Sequence, residues 1–295
     1  MTKNNKNRFE VIISVLVLLG SGFWVYYFGL VKASPNEETL ARAFFLDVGQ
    51  GDATLFNLPD STQVLVDAGP DKKIVEQLNE TMPPMDRKIE FVFLTHPDSD
   101  HIGGLEYVLD SYKIGGIYVS GKDSSSNIYQ RLAQKISQKN IPETEVRKGE
   151  QVKLADFYAM DVFSPPAGSL ESTSTNDSSL VMKLDAPSSG IMLLGDAETK
   201  VQNRVVGEQL KSNLKSDVIK ISHHGSANGI SEKMFSATGA KDAVISVGKN
   251  NRYGHPAQAT IDVLVGFGMK IFRTDELGAI EFDLKNSGWA AKSAM

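Results

Sequence analysis

The sequence predicts an α+β fold in which two β-sheets pack face to face between outer layers of helices, a four-layer αββα sandwich. From residue 41 onward, short apolar runs broken by Gly, Pro and Asp are followed by apolar runs that alternate with helical patterns, and this order occurs twice. Closely spaced apolar runs with turn residues between them are typical of antiparallel or mixed sheets. The alternation with helical segments predicts helices on the outer faces. We assign residues 41–286 to this domain.

In the first half of the domain, the predicted strands are rich in Phe, Leu and Val and end at Gly or Asp. They lie at residues 43–48, 53–56, 62–66, 91–94 and 116–119. The predicted helices have apolar residues at helical spacing, as at Ile128, Leu132 and Ile136. They lie at residues 74–79, 103–111 and 127–139.

The second half repeats this order and ends in a polar tail. Its predicted strands lie at residues 152–163, 180–184, 191–194, 218–221, 243–247, 270–274 and 279–282, and its predicted helices at 199–210 and 258–267. Residues 169–179 are rich in Ser, Thr, Asn and Asp, which predicts a loop. We expect residues 287–295 to be disordered.

The N-terminal segment has the pattern of a membrane anchor. Residues 1–10 are polar with three basic side chains, and residues 11–31 are almost continuously apolar and uncharged. A helix that crosses a bilayer needs roughly 20 such residues, and basic residues before it place the N-terminus in the cytoplasm. We expect a single-pass cell-membrane protein with a linker at 32–40 and an extracellular domain. Secretion after cleavage of a signal peptide is the alternative.

Composition restricts the chemistry that the domain can use. The chain has 295 residues, no cysteine and a net charge of -5. Disulfides and thiolate ligands are therefore excluded, and any metal must be held by His, Asp, Glu, Asn or water. The acidic balance means that the protein as a whole does not attract nucleic acid, although a local cationic site can still bind a polyanion.

The five histidines all lie in loop-like sequence near the ends of apolar runs. Two of them, His96 and His101, flank Asp98 and Asp100 directly after the run at 91–94. Imidazole nitrogens and carboxylates this close together can coordinate one or two divalent metals. The alternative is a polar loop with an N-capped helix. Four such side chains crowded after a strand would, however, be costly without a cation.

Further polar residues follow other apolar runs. Taken singly, Asp67 can be a turn residue, Asn176 a loop residue and Asp196 a helix N-cap. The pair His223-His224 and the lone His255 follow the last two runs of this kind. Together and in this order, these residues predict one composite site.

Seven motifs at these positions are characteristic as a set. They are Phe45-Leu-Asp-Val-Gly-Gln-Gly-Asp-Ala53, Val66-Asp-Ala-Gly69, Thr95-His-Pro-Asp-Ser-Asp-His-Ile-Gly-Gly104, Asn176-Asp-Ser-Ser-Leu180, Leu193-Leu-Gly-Asp196, Ser222-His-His-Gly-Ser226 and Tyr253-Gly-His-Pro256. With them the sequence resembles the metallo-β-lactamase superfamily. Within that superfamily it is similar to the hydrolase domain of ComEC-type competence (DNA-uptake) proteins. The resemblance covers about residues 43–282.

The resemblance implies a two-metal centre. In the superfamily a His-x-His-x-Asp-His motif supplies ligands to two adjacent metals, so His96, Asp98, Asp100 and His101 are expected ligands. Asp98 stands where the superfamily usually has a second histidine, a form that the competence branch shares. Asn176 stands where the next histidine would close the first metal site, and we expect it to contact that site.

The remaining roles also follow from the resemblance. Asp196 matches the aspartate that bridges the two metals, and His223 or His224 matches the last histidine, on the second metal. Asp67 matches an aspartate that orients the metal-binding loop through hydrogen bonds.

The implied first site is rich in oxygen ligands, which favour manganese or magnesium relative to zinc. We expect one or two divalent ions, zinc or manganese, with the second site binding more tightly. Two such cations can polarise a phosphoryl oxygen and lower the pKa of a bound water. We expect Asp100 or Asp196 to orient that water.

A basic loop lies at residues 249–255. Lys249 or Arg252 is expected to hold a substrate phosphate, with Tyr253 beside them. His255 is expected to stabilise or protonate the leaving oxygen. The alternative is that His255 only supports the site.

We expect a metal-dependent phosphodiesterase or nuclease that acts on DNA at the outer face of the cell membrane. The alternatives are a hydrolase of another surface phosphodiester or ester, such as a phosphocholine or teichoic-acid ester, and a non-catalytic DNA-uptake module. A β-lactamase or thiol-ester hydrolase is disfavoured because the first metal site lacks three histidines. A single span cannot form a DNA channel, so a role in uptake requires a channel partner.

Overall fold

The computed structural model describes residues 40–168, 170–171 and 173–292. Fifteen strands in these residues form two sheets. The strands are β1 (Ala41–Phe45), β2 (Thr54–Leu58), β3 (Thr62–Val66), β4 (Lys88–Leu94), β5 (Lys113–Val119), β6 (Glu143–Glu145), β7 (Gln151–Ala155), β8 (Tyr158–Ser164), β9 (Val181–Asp185), β10 (Gly190–Leu193), β11 (Val218–Lys220), β12 (Asp242–Ile245), β13 (Lys270–Arg273), β14 (Ile280–Lys285) and β15 (Gly288–Ala291).

The helices are mostly short and begin at polar residues. Ser126 and Ser231 each accept a hydrogen bond from a first-turn backbone N–H of the helix that follows, which satisfies a donor that the helix cannot pair itself. The helices are α1 (Lys73–Thr81), α2 (Ser99–Ile102), α3 (Leu105–Ser111), α4 (Asn127–Gln138), α5 (Thr199–Glu208), α6 (Lys211–Leu214), α7 (Glu232–Thr238), α8 (Gln258–Gly266) and α9 (Thr274–Leu277).

Each sheet is antiparallel on one side and parallel on the other. The first sheet has the order β15-β14-β1-β2-β3-β4-β5-β6, and the second has β13-β12-β11-β10-β9-β8-β7. Strands β3 to β6 run parallel in the first sheet, as do β10 to β13 in the second. The carboxyl ends of parallel neighbours lie on one edge, which is where open α/β sheets bind ligands.

Three hydrophobic clusters separate four layers. One contains inward-facing side chains of both sheets, including Phe45, Leu193 and Phe282. The second joins the first sheet to α1–α4, and the third joins the second sheet to α5–α8. Strand β1 illustrates the pattern, because Phe45 lies in the first cluster and its neighbour Phe44 in the second. The predicted two-sheet α+β architecture is confirmed.

Several sequence-based boundaries are wrong. The stretch 152–163 is a hairpin of β7 and β8, and β6 and α7 were not predicted. The predicted disordered tail is wrong for Gly288–Ala291, which pairs with β14 as β15. Trp289 fixes this strand, because its side chain is buried and its backbone N–H donates to Asp217 Oδ2 at 2.9 Å.

The predicted N-terminal segment 1–10, membrane span 11–31 and nearly all of the linker 32–40 lie outside the described residues. Across the part of the chain that the structure does describe, no helix combines the length and apolar character needed to cross a bilayer.

Candidate metal centre

The loop after β4 supplies the first half of a cluster of His and Asp side chains. It lies at the carboxyl end of a strand paired in parallel with β3 and β5, so its side chains project from the edge of the sheet. The His96 and His101 side chains are fully buried, whereas Asp98 and Asp100 are each about one-third exposed. Asp98 caps the four-residue helix α2, which carries Asp100 and His101. The predicted loop therefore brings its imidazoles inside and its carboxylates to the mouth of the site.

The second sheet supplies the other half. Asp196 follows β10, and its backbone N–H donates to Ser179 Oγ at 3.1 Å. After β11 the chain makes a tight turn in which both His223 and His224 have left-handed backbone angles, with φ of 52° and 54°. Two consecutive non-glycine residues in this conformation are costly and persist only where the surroundings fix them. Here the turn directs the ring of His224 into the cluster.

Three atoms at the centre of the cluster have unused hydrogen-bonding capacity. His96 Nε2, His101 Nε2 and Asp196 Oδ1 are buried and have no hydrogen-bond partner within the described residues. His101 Nε2 lies 3.3 Å from Asp196 Oδ1, and ligand atoms of all three residues lie within 4.8 Å of one another. Buried polar atoms without partners are rare in folded proteins, and divalent cations bound at this cluster would satisfy all three. The residues therefore fit a metal.

A second group with ligand spacing shares one member with the first. Ligand atoms of Asp100, His101 and His224 also lie within 4.8 Å of one another, and His224 Nε2 is 3.1 Å from Asp100 Oδ2. His224 Nδ1 lies 3.0 Å from the Ser246 carbonyl oxygen, to which it can donate. That hydrogen bond leaves Nε2 free to bind a metal.

The neighbouring His223 is placed differently. Its side chain is 26% exposed, against 2% for His224, and its Nε2 is 3.8 Å from Asp196 Oδ2. Its Nδ1 is 3.5 Å from Asn176 Nδ2. Neither His223 nor Asn176 belongs to a three-residue group with ligand spacing among the described residues. Both lie at the rim of the cluster.

Asp67 is hydrogen-bonded to the start of the loop after β4 and to one of its imidazoles. Its Oδ1 accepts the backbone N–H of Thr95 at 2.8 Å, and its Oδ2 accepts the Thr95 hydroxyl at 2.8 Å. The same Oδ2 lies 2.8 Å from His101 Nδ1. These contacts fix the start of the loop and the ring orientation of His101, and they match the orienting role implied by the resemblance.

Asp98 lies at the edge of the first group. Its Oδ2 is 3.6 Å from His96 Nε2 and accepts the hydroxyl of Thr175 at 3.1 Å. Burial alone would raise the pKa of Asp98, but the neighbouring His96 ring holds it below the usual value. Asp98 is therefore ionised and available as an additional oxygen ligand.

The cluster has the electrostatics of a cation site. Burial alone would raise the pKa of Asp196, but the His101 and His224 rings hold it well below the usual value. Burial alone would lower the pKa of His224, but Asp196 and Asp52 raise it to about 10. Burial alone would also lower the pKa of His101, but Asp196 and Asp67 hold it well above its usual value. Without metal the imidazoles thus bind protons that a metal would displace.

The loop after β12 contacts the cluster through one ring. His255 lies against His223 with ring centroids 5.8 Å apart, and Tyr253 stacks on its other side at 5.9 Å. Arg252 lies over the Tyr253 ring, and its Nη2 donates to the phenol oxygen at 2.9 Å. Lys249 is exposed and lines a separate polar groove. The structure therefore places His255 beside the cluster, Arg252 and Tyr253 at its outer rim, and Lys249 in the separate groove.

Two residues next to the cluster were missed as site residues. Asp52 and Lys220 form a buried ion pair, and Asp52 Oδ1 is 3.3 Å from His224 Nδ1. Asp52 is the penultimate residue of one of the characteristic motifs, and Lys220 is a charged residue in the otherwise apolar strand β11. A lysine in such a strand is the signal that could have revealed the pair, because a lysine is rarely buried without a partner.

Comparison with known proteins identifies the family. Residues 46–249 match the family model described as the metallo-beta-lactamase superfamily. The chain belongs to this superfamily. Its members are typically metal-dependent hydrolases, and the His/Asp cluster is where that metal would bind.

Relatives of known name are competence proteins. The chain is 30% identical over 258 residues to ComE operon protein 3 of Bacillus subtilis, covering 82% of this chain and 33% of the relative. It is 28% identical over 280 residues to competence protein ComA of Neisseria gonorrhoeae, covering 94% of this chain and 36% of the relative. The chain thus spans about a third of the length of these curated relatives.

A solved structure shares the fold. The metallo-beta-lactamase fold protein YhfI from Bacillus subtilis superposes with a TM-score of 0.57 at 14% sequence identity, covering 82% of this chain and 99% of that one. The resemblance to the superfamily inferred from the motifs is confirmed by these comparisons.

Proposed function

We propose that the chain is a metal-dependent phosphodiesterase that cleaves DNA. The observation that carries the proposal is the convergence of His96 Nε2, His101 Nε2 and Asp196 Oδ1, which are buried side by side without hydrogen-bond partners. Such a donor set binds a divalent cation, and hydrolysis is the typical reaction of the superfamily.

Two sets of residues in the cluster would hold the two metal ions. His96, Asp98 and Asp196 would hold one ion, and Asp100, His101 and His224 the other, with Asp196 between them. When bound, the ions would supply charge stabilisation to a phosphoryl oxygen and acidify a water. The fixed positions of Asp196 and Asp100 would orient that water, because both lie among the groups that converge on the centre.

His255 would act on the leaving oxygen. Burial and the nearby His223 and His224 rings lower the pKa of His255, so the ring is neutral near pH 7. Its Nδ1 is buried without a hydrogen-bond partner in the described part of the chain. A neutral imidazole beside the cluster can stabilise the leaving oxygen by donating a hydrogen bond from its ring N–H.

The substrate class follows from the rim and from the relatives. Arg252 and Tyr253 are exposed beside His255, and Lys249 lies in the same loop. The guanidinium at the rim would hold a phosphate beside the scissile bond, the ammonium in the separate groove would hold one further along the strand, and an exposed aromatic ring suits a base. DNA is favoured because the relatives named above are competence proteins.

The cellular location is part of the same proposal. We expect residues 11–31 to anchor the chain in the cell membrane, with the domain at 41–286 on the outer face. A DNA-uptake channel would be a separate partner in this arrangement. Release after signal cleavage is the alternative.

Digestion of single- and double-stranded DNA by the purified 295-residue chain tests the activity. Manganese or zinc is added after removal of metal, and Asp196→Ala is compared with Asp156→Asn, which alters an aspartate that is 77% exposed in the β7–β8 turn. We expect cleavage by the wild type and by Asp156→Asn, and none by Asp196→Ala. Cleavage that survives Asp196→Ala would show that a contaminating nuclease is responsible. A wild-type chain that binds metal but cuts no DNA would exclude the nuclease.

A second candidate function is supported by a separate observation. A pocket lined by His96 and Pro97 also contains the carboxylates of Asp123, Glu143 and Glu145. An acidic wall disfavours a polyanion and suits a cationic group such as choline. The same preparations should therefore be tested on a chromogenic phosphocholine diester. Turnover of that ester without DNA cleavage would favour the surface-phosphodiester alternative.

A further inference from the structure

The buried pair Asp52 and Lys220 joins the two halves of the metal centre. Asp52 lies between β1 and β2 of the first sheet, and Lys220 is the last residue of β11 in the second. The residues are 4% and 3% exposed, and Lys220 Nζ donates to Asp52 Oδ2. Removing two such charges from water is costly, and their attraction often fails to offset that cost. We therefore expect the pair to have a role other than stabilising the fold.

Both carboxylate oxygens of Asp52 face imidazoles of the cluster. Oδ1 is 3.3 Å from His224 Nδ1, and Oδ2 is 3.9 Å from His101 Nδ1. These are the ring nitrogens opposite the Nε2 atoms, which lie 3.1 Å from Asp100 Oδ2 and 3.3 Å from Asp196 Oδ1. Asp52 thus lies behind both rings.

The backbone of Asp52 is tied to the same loops. Its N–H donates to the Asp100 carbonyl oxygen at 3.2 Å, and its own carbonyl oxygen accepts the Gly69 N–H at 2.8 Å. Asp52 is thereby fixed to the half of the site built by the first sheet. Lys220 lies four positions before His224, so it is fixed to the other half.

We propose that the Asp52–Lys220 pair is a positioning element of the metal centre, which holds the His101 and His224 rings in register across the two sheets. Lys220 keeps the Asp52 carboxylate between the two halves of the site. Asp52 then acts with Asp67 and the Ser246 carbonyl, which contact the same two ring nitrogens, to set the separation of the Nε2 atoms. Neither residue is proposed to bind metal. The inference rests on the proposed metal centre.

Cobalt(II) binding tests the proposal without any substrate. Affinity is measured by titration of the metal-free 295-residue chain, and the visible absorption of bound cobalt reports ligand geometry. Asp52→Asn keeps the side-chain shape but removes the charge. We expect about 10–100-fold weaker binding and an altered spectrum, the usual scale for loss of a residue that orients metal ligands.

Lys183→Met is the matched control. Lys183 is also a buried lysine in a strand of the second sheet, but it pairs with Asp185 at 2.8 Å and Asp161 at 3.7 Å. Because these partner carboxylates are partly exposed, we expect the variant to fold, and its cobalt affinity and spectrum should stay those of the wild type.

The double variant Asp52→Asn/Lys220→Met is less prone to misfold than Asp52→Asn, because it leaves no unpaired buried charge. We expect it to bind cobalt more weakly and with a changed spectrum too. Wild-type affinity and spectrum in the folded double variant, or in Asp52→Asn, would overturn the positioning role. A wild-type chain that binds no cobalt would instead overturn the metal centre itself, and the inference with it.

Discussion

His224 Nε2 lies 3.1 Å from Asp100 Oδ2, although 124 positions separate the two residues along the chain. Asp100 comes from the loop after β4 in the first sheet, and His224 from the turn after β11 in the second. The contact is made where the parallel strands of both sheets end. Neither sheet carries a complete set of ligands for the proposed centre.

The adjacent histidines should differ sharply in metal binding. We expect His224→Ala to lose one metal per chain, because its Nε2 lies in a group with ligand spacing. His223→Ala should keep the wild-type stoichiometry, since the more exposed His223 lies at the rim. Elemental analysis of the two purified variants measures the difference. Equal loss from both, or loss from His223→Ala alone, would reverse the assignment.

Asp67→Asn should weaken metal binding by about 10–100-fold. Asn has one acceptor oxygen, so it cannot accept the Thr95 backbone N–H together with the Thr95 hydroxyl and His101 Nδ1, and the loop or the His101 ring would shift. Asp67 has a φ of 58°, a conformation that Asn also tolerates. Asp60→Asn, at an exposed turn position with a φ of 59°, is the control and should bind metal normally. Unchanged affinity in Asp67→Asn would refute the orienting role.

The variant His255→Gln distinguishes a catalytic role of His255 from a supporting one. We expect the metal content to stay at the wild-type value, because His255 lies against the His223 ring at the rim of the cluster. The rate of phosphodiester cleavage should fall by about 100-fold or more, the scale of a lost hydrogen-bond donor to a developing oxyanion. Metal content and rate are measured on the same preparation. Activity that is largely retained would leave His255 with a supporting role only.

Arg252→Ala should raise KM for DNA with little change in kcat. The guanidinium lies at the rim beside Tyr253, so its loss removes a phosphate contact and leaves the cluster intact. The slope of log affinity against log salt should fall by about one. Lys113→Ala is the control, since Lys113 is exposed at the opposite end of β5. A salt slope that Arg252→Ala does not change would place the DNA elsewhere.

The metal-free protein should become less stable as the pH rises. Since folding raises the pKa of His224 to about 10, its protonation stabilises the folded state fully below the unfolded value of about 6.5. That contribution is lost as the pH rises through about 10. Urea unfolding in a chelator at pH 6, 8 and 10 measures the fall, which should be smaller in His224→Gln. Identical profiles for the two proteins would contradict the assignment.

Much of the fold and half of the cluster could be predicted from the sequence. His96, Asp98, Asp100 and His101 are close in sequence, so one apolar run and one polar loop are enough to place them together. The two-sheet architecture follows from the apolar periods, because strands buried on both faces read as continuous hydrophobic runs.

The remaining features depend on long-range packing. Adjacent His223 and His224 could not be told apart, since their directions are set by two left-handed residues that only the folded surroundings enforce. The pairing of Asp52 with Lys220 joins residues 168 positions apart. The strand at Gly288–Ala291 depends on Trp289 entering the core and on a hydrogen bond from its backbone to Asp217, neither of which a local pattern reveals.

The origin of the cluster in both sheets also bears on how the protein resists unfolding. In the proposed centre, a metal held jointly by His101 and His224 would cross-link the two halves of the sandwich, and it could bind only after they have packed. Binding free energy at such a site adds to folding free energy. The metal-loaded chain should therefore unfold far more slowly than the metal-free one, and an ion bound for the proposed chemistry would also hold the two sheets together.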